Sequence, residues 1–321
     1  MKFEASESGM LAVLEQETET HQRRTKMVAK IIDGNKIAEE MRTEMKTRVE
    51  DLKVKGVTPG LAAVLVGENP ASKVYVSMKT KACEEMGLFS VTEKLPEQTS
   101  EADLLKLISK LNQDSRIHGI LVQLPLPKHI NESRVLYSVS TEKDVDGFHP
   151  VNVGRLTIGD PDFVPCTPHG VQEMLVRSGH DPSGKHVVIV GRSNIVGKPL
   201  VNILMQKKKG ANATVTVCHT GTVDIAKYTR MADILIAAAW SPKAITAEMV
   251  KDGVVVIDVG VNRVDDPTAK RGYRLVGDVD FDAVKEKAAA ISPVPGGVGP
   301  MTITLLLDNT IRAAARKAGL A

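Results

Sequence analysis

From Ile31 onward, short apolar runs rich in Val, Ile and Leu alternate with longer amphipathic stretches, and this alternation limits the folds open to the chain. A strand-length segment followed each time by a helix-length one must cross over before it pairs again, which builds parallel sheet with helices on its faces. Aromatic residues make up only 3% of the sequence, so Val, Ile, Leu, Ala and Met must fill the core, a choice suited to strands buried on both faces. For 321 residues, at about 150 per domain, two domains are expected.

In the first half, Gly60–Gly67 reads as a buried strand, Ser72–Met86 as a helix ended by Gly87, and Leu88–Leu95 as a strand. Ser100 and Asp103 look like a capping box opening a helix to about Asn112, and His118–Gln123 is a strand stopped by Pro125 and Pro127. A turn-rich stretch around Asp144–Asn152 puts a boundary near residue 150. Beyond it, Thr167 is the expected N-cap of a helix to about Ser178, with Pro168 in the first turn. Strands follow at His186–Val190, Thr214–Cys218, Asp233–Ala238 and Val254–Val259, and Met301–Lys317 is a final amphipathic helix expected to return to the first lobe. The fold class is α/β: two α/β lobes with a cleft between them, the second a Rossmann-like doubly wound parallel sheet.

The formal charge of +3 gives no basic footprint for nucleic acid or an anionic membrane, and scarce aromatics argue against a base-stacking platform. No apolar run is long enough to span a bilayer. Cys83, Cys166 and Cys218 stand far apart with no Cys-x-x-Cys pair, so free thiols in a reducing cytosol are expected, and neither a disulfide framework nor a metal site. The first 26 residues carry five glutamates and no apolar h-region, unlike a secretory signal or an acid-poor transit peptide. They read as a polar tail, or as a start placed too early with Met27 the real one. The expected division is a polar extension over 1–28, a first lobe over 29–150 plus 301–321, and a second lobe over 151–294.

In the second lobe, His186-Val-Val-Ile-Val-Gly-Arg-Ser-Asn-Ile-Val-Gly-Lys-Pro199 is a strand, a glycine-bounded turn and a helix start. Such a turn points backbone N–H groups and the positive end of a helix dipole at a phosphate. The match is weak alone, because Ser193 occupies the second glycine position of Gly-x-Gly-x-x-Gly. A triphosphatase loop is excluded by five residues between Gly191 and Gly197 and by Pro199 after Lys198. A hydrolase elbow is excluded by Ile195, which stands where glycine should follow Ser193. An NAD site usually carries an acid at the end of its second strand, and Thr216–Thr222 has none. Arg192 in the turn is instead suited to a 2′-phosphate, so NADP is the expected cofactor, the competing reading being a solvated loop charge.

In the first lobe, Tyr75-Val-Ser-Met-Lys79 puts a phenol and an ammonium on one helix face. Taken alone, the pair reads as packing and surface charge; in an apolar cleft, the lysine would lose proton affinity and exchange protons near neutral pH. Gln123 ends a strand, where open α/β sheets bind ligands. Asp144 and Asp146 share a turn, as capping residues or as partners for a heterocycle edge. Pro293-Val-Pro-Gly-Gly-Val-Gly-Pro-Met-Thr302 is the most unusual segment: three prolines and three glycines stiffen a loop that a ligand can approach closely.

With Pro70–Lys79, the 119–127 strand, Asp144–Gly147, Pro165–Pro168, Gly191–Ser193, Asp258–Asn262 and Pro293–Thr302 in order from about Ala29 to the C-terminus, the chain resembles the bifunctional methylenetetrahydrofolate dehydrogenase/methenyltetrahydrofolate cyclohydrolase family. The resemblance implies NADP-dependent oxidation of 5,10-methylenetetrahydrofolate to the methenyl cation, then hydrolysis to 10-formyltetrahydrofolate, a step of one-carbon metabolism that feeds purine biosynthesis. It implies Lys79 as the proton-transfer group, supported by Gln123 and Tyr75, with Tyr75 stacked on the folate and Asp146 on the pterin edge. Val122, Gln123, Leu124 and the loop residues Pro295, Gly296, Gly297, Val298, Gly299, Pro300, Met301, Thr302 and Ile303 would line the folate site. Gly191, Arg192, Ser193, Thr220 and Val261 would hold NADP, in a cytoplasmic homodimer pairing through the cofactor lobe. Many relatives read Ala-Ala-Gly-x-Pro or Ala-Thr-Gly-x-Pro where this chain has Ala238-Ala-Trp-Ser-Pro242, so Trp240 brings bulk to the dinucleotide pocket or to a dimer contact. The alternatives are a monofunctional enzyme on the same scaffold, a non-catalytic folate binder with Trp240 plugging the cofactor groove, and an amino-acid dehydrogenase of similar two-lobe build.

Overall fold

Alternate residues of the strand Gly60–Val66 (β2) belong to two different cores, and that single fact organises the first lobe. In the computed structural model, which describes residues 29–269 and 272–320, Leu61, Ala63 and Leu65 join one buried cluster while Ala62, Val64 and Val66 join another. Successive side chains of a strand point to opposite faces, so a strand apolar at every position must be covered on both sides. β2 pairs in parallel with Phe89–Leu95 (β3) and Gly119–Val122 (β4), giving the order β3-β2-β4. The helix Glu101–Gln113 (α3) covers the outer face with Leu104, Ile108 and Leu111. Ser100 caps it as expected: its Oγ accepts from the Asp103 N–H at 3.1 Å and donates to the Asp103 carboxylate at 2.7 Å.

Between β2 and β3 runs Pro70–Glu85 (α2), and ahead of β2 runs Gly34–Val54 (α1). The short helices Glu132–Leu136 (α4) and Pro150–Ile158 (α5) then lead to Cys166–Arg177 (α6). Thr167 is not the cap of α6: Pro165 stands at that position, and the Thr167 hydroxyl pairs with that of Thr302 at 2.9 Å. The helix starts at Cys166, so Thr167 lies inside its first turn and its hydroxyl reaches a distant helix instead.

The second sheet is entirely parallel. His186–Val190 (β5) lies between Thr214–Cys218 (β6) and Ile234–Ala237 (β7), followed outward by Val255–Asp258 (β8), Ala290–Ile291 (β11) and Lys30–Ile31 (β1). The helices Gly197–Leu204 (α7) and Ile225–Thr229 (α8) follow β5 and β6, and Phe281–Val284 (α9) precedes β11. Asn262–Asp265 (β9) and Tyr273–Val276 (β10) form a separate antiparallel hairpin. β1 was not legible in the sequence: it pairs with β11, so the first described strand belongs to the sheet of the second lobe although the first lobe follows it in the chain. The expected extension over 1–28 lies outside the described residues.

The last helix, Val298–Lys317 (α10), returns toward the first lobe and packs on α6 and α1, then on α2 and against β2 and β4. With α1 and α6 it forms a helical layer between the two sheets. The central cluster runs from Leu61 and Leu121 of the small sheet, through Met45, Met174 and Leu306, to Ile189 and Ile236 of the large one. The lobes therefore share one core. Where α1 starts, the backbone passes so close to the loop ahead of α10 that a Cβ on Gly34 would lie 1.8 Å from the Gly297 oxygen, while the Asn35 N–H donates to the Gly296 oxygen at 3.2 Å. Backbone cannot yield as a side chain can, so Gly34→Ala should cost about 3 kcal/mol of unfolding free energy. A urea titration showing less than about 1 kcal/mol would disprove that packing role.

Candidate active site

α2 begins behind Asn69, whose side chain accepts from the Ala71 and Ser72 N–H groups, and its helical phase turns Val76, Lys79, Ala82 and Cys83 inward. The same phase that buries Val76 carries Lys79 into the first lobe, where it is only 7% exposed. Its Nζ donates to Gln123 Oε1 at 3.0 Å. Gln123 lies just past β4; its N–H continues the ladder to the Val64 oxygen at 2.9 Å and its Nε2 donates to the Leu124 oxygen at 2.7 Å, which leaves Oε1 aimed at the lysine. Burial holds the Lys79 ammonium below the usual lysine range, opposed by Asp146 and Cys166. Tyr75, one turn earlier on α2, is half-buried, and burial raises its phenol.

The two aspartates of the 144–147 turn divide their work. The Asp144 carboxylate accepts from the Phe148 and His149 N–H groups at 3.1 and 2.8 Å and from Asn152 Nδ2 at 2.7 Å, so it staples the turn and the start of α5. Asp146 faces Lys79 and Cys166 instead. Burial pushes its carboxyl up to about 6, the Lys79 charge opposing and Asp144 adding to the rise. Cys166, buried in the first turn of α6, donates to the Val145 oxygen at 3.4 Å and accepts from Asn309 Nδ2 at 3.7 Å. Burial drives its thiol well above the usual range, which makes it a packing group rather than a nucleophile.

The proline-glycine loop leaves β11 at the carboxyl edge of the large sheet and enters α10 beside these groups. Met301 packs on Gly170 of α6, Thr302 bonds Thr167, and a Cβ on Gly299 would meet nothing within 4 Å, so that side of the first turn opens into space. Val122 is buried at the end of β4, with Leu124 half-buried beyond it. The structure thus brings Tyr75, Lys79, Gln123 and Asp146 into one lobe.

Gly191, Arg192, Ser193, Thr220 and Val261 all follow strands of one parallel sheet, so they share its carboxyl edge. The switch point lies at β5, flanked by β6 on one side and β7 on the other. Gly191 has φ +137°, and a Cβ there would lie 2.2 Å from the Ala238 oxygen, so only glycine fits. Ser193 Oγ accepts from the Val196 N–H at 3.1 Å, shaping the turn into α7. Arg192 is exposed, with Nη1 at 3.4 Å from His219 Nε2. The Gly221 N–H donates to His219 Nδ1 at 3.1 Å, so a neutral ring carries its proton on Nε2. Two donors therefore face each other with no acceptor between them, the arrangement an anionic oxygen would satisfy. Neither His219 nor its partnership with Arg192 was visible in the sequence.

Asp278 was missed entirely. Fully buried, its carboxylate accepts from the N–H groups of Ala239, Trp240 and Ser241 at 2.6, 2.9 and 2.9 Å and from Asn262 Nδ2 at 2.8 Å, tying the loop after β7 to the loop after β8. Asp258 holds the neighbouring turn through the Gly260, Asp278 and Val279 N–H groups, and burial pushes its carboxyl up to about 7. Among the described residues no group of three or more His, Cys, Asp or Glu side chains is placed to hold a metal ion, and no helix is long and apolar enough to cross a membrane.

Residues 32–146 match the model of the tetrahydrofolate dehydrogenase/cyclohydrolase catalytic domain, and residues 165–318 that of the NAD(P)-binding domain of the same family. The bifunctional protein FolD of Syntrophus aciditrophicus is 59% identical over 294 residues, covering 92% of this chain and 100% of that one. Among solved structures, the bifunctional FolD enzyme of Campylobacter jejuni is 48% identical with a TM-score of 0.85, over 90% of this chain and 99% of that one. The Trypanosoma brucei enzyme, solved with NADP cofactor and an inhibitor, is 41% identical with a TM-score of 0.86, over 90% of this chain and 98% of that one. The chain belongs to the tetrahydrofolate dehydrogenase/cyclohydrolase family.

Proposed function

We propose that the crevice between the lobes carries both activities of the family, NADP-dependent oxidation of 5,10-methylenetetrahydrofolate and hydrolysis of the resulting methenyl cation to 10-formyltetrahydrofolate. The observation that carries this reading is the buried Lys79–Gln123 pair beside Asp146. Bound NADP supplies a hydride acceptor. Everything else falls to the chain: hold the pteridine, exclude water until it is needed, and move one proton.

Tyr75 stacks on the folate, Asp146 takes the pterin edge, and Val122, Leu124 and the 295–303 segment close around it. The methenyl carbon is already electrophilic, so hydrolysis requires a positioned water and a modest proton shuttle. Lys79 is that shuttle, its amine oriented by Gln123 Oε1 and kept exchangeable by burial. As water adds to the carbon, Lys79 takes one of its protons and passes it to the folate nitrogen whose bond to that carbon breaks, the other proton leaves to solvent, and the formyl group stays on the second nitrogen. Spectrophotometry of purified protein, following NADPH formation and methenyl decay together, tests the pairing: loss of either activity would leave a monofunctional enzyme.

Gly191, Arg192, Ser193, Thr220 and Val261 hold NADP in this reading, and the facing donors of Arg192 and His219 fit its 2′-phosphate. A charge-assisted bond of this kind contributes about 1.5–3 kcal/mol, so Arg192→Ala should raise the Kd for NADP about 10- to 100-fold while barely moving that for NAD. Equal losses for both cofactors would remove the 2′-phosphate from Arg192. We also infer a cytoplasmic homodimer pairing through the second lobe; the three buried, unpaired cysteines suit a reducing compartment. Cell fractionation and a sedimenting mass near twice 34.6 kDa would support it, and a mass near 34.6 kDa would overturn the dimer.

A further inference from the structure

The sole tryptophan of the chain, Trp240, is 52% exposed and has φ +56°, a left-handed conformation that a bulky L side chain adopts only when its surroundings impose it. The imposing group is Asp278, whose buried carboxylate takes the N–H of Trp240 together with those of both neighbours. Packing does not account for the indole: about half of it faces solvent, and among the described residues no aromatic ring or cation is found stacked on it. A strained backbone that holds a large ring in the open is a candidate ligand contact.

Its place along the sheet says which part of a ligand it meets. The carboxyl edge runs β6, β5, β7, β8: first Thr220 and His219, then the Gly191 turn, then the loop bearing Trp240, then Val261. The Gly191 turn lies directly against Ala238, two residues before Trp240, and Asn262, next to Val261, hangs on the same Asp278 that holds the Trp240 N–H. With the 2′-phosphate at Arg192 and His219 and the diphosphate at the Gly191 turn, the next segment of the dinucleotide is the nicotinamide riboside.

We propose that the Trp240 indole forms a wall of the cofactor crevice, packing on the nicotinamide riboside half of NADP and favouring its oxidised, cationic ring. An indole face is the best of the aromatic side chains for a cation, and the oxidised nicotinamide carries a positive charge that the reduced ring lacks. The inference rests on the cofactor reading above and adds a residue and a redox preference to it.

The test uses the full chain, whose single tryptophan makes its emission a report on Trp240 alone. Titration with NADP+ should quench that emission, and calorimetry should show the Kd for NADP+ rising about five- to thirty-fold in Trp240→Leu, with the Kd for NADPH rising much less and Trp240→Phe recovering most of the loss. Trp240→Gly, which suits the left-handed backbone, provides a second variant whose folding is secure and should show the same weakening. If calorimetry shows NADP+ binding while emission stays constant, or if the Leu and Gly variants keep wild-type affinity, the role of Trp240 is overturned and the cofactor reading stands. If neither signal responds at millimolar NADP+, the cofactor reading fails with it.

Discussion

A Lys79→Met variant is expected to lose cyclohydrolase turnover by about 100- to 10,000-fold, the usual contribution of a positioned proton-transfer group. Methionine fills similar volume without an exchangeable proton, so folding and folate binding should persist. Dehydrogenation moves a hydride and needs no proton shuttle, so it should fall far less, and methenyl product should accumulate. The pH profile carries a second signature. Burial pushes the Asp146 carboxyl up to about 6, so as pH drops through that value it loses the charge with which it takes the pterin edge. Hydrolysis should therefore decline below about pH 6, and Asp146→Asn should erase that acid limb; the limb belongs to the interacting pair rather than to either group alone. Wild-type hydrolysis in Lys79→Met would remove the lysine from the mechanism.

Asp278→Ala is expected to be the most destabilising single change in the second lobe. It would strand three backbone N–H donors and the Asn262 amide in a fully buried place, at about 1–3 kcal/mol for each donor that water does not reach. A loss on the order of 4 kcal/mol in chemical denaturation is expected, together with weaker NADP binding, because the loops after β7 and β8 lose their common tie. Asp278→Asn is the sharper variant. All four partners of this carboxylate are donors, so an amide nitrogen on either side would face another N–H, and the near-isosteric change should cost nearly as much as alanine. A fully stable Asn variant would show that the carboxylate is not the organising group.

The sequence by itself determined the α/β class, the two lobes and most of the parallel strands. His186–Val190 and Thr214–Cys218 were read with their observed limits, since each is a short β-branched run between breakers. It also determined which residues share a helix face: the spacing of Tyr75 and Lys79 is a property of α2 alone. What it left open depended on distant partners. Turn chemistry alone left Asp144 and Asp146 equivalent and only the family resemblance chose Asp146; the fold gave the first its Phe148, His149 and Asn152 donors and set the second against Lys79. Thr167 had every local mark of an N-cap, but Pro165 stands at the cap and the Thr167 hydroxyl pairs with Thr302; β1 needed β11 as its partner, and Asp278 gathered donors from residues 239–241 and 262. Local periodicity and turn chemistry are set by neighbours a few residues away, and so can be read along the chain. Desolvation of a charge and the pairing of buried donors with acceptors are set by whatever the fold brings across space, which only the tertiary structure decided.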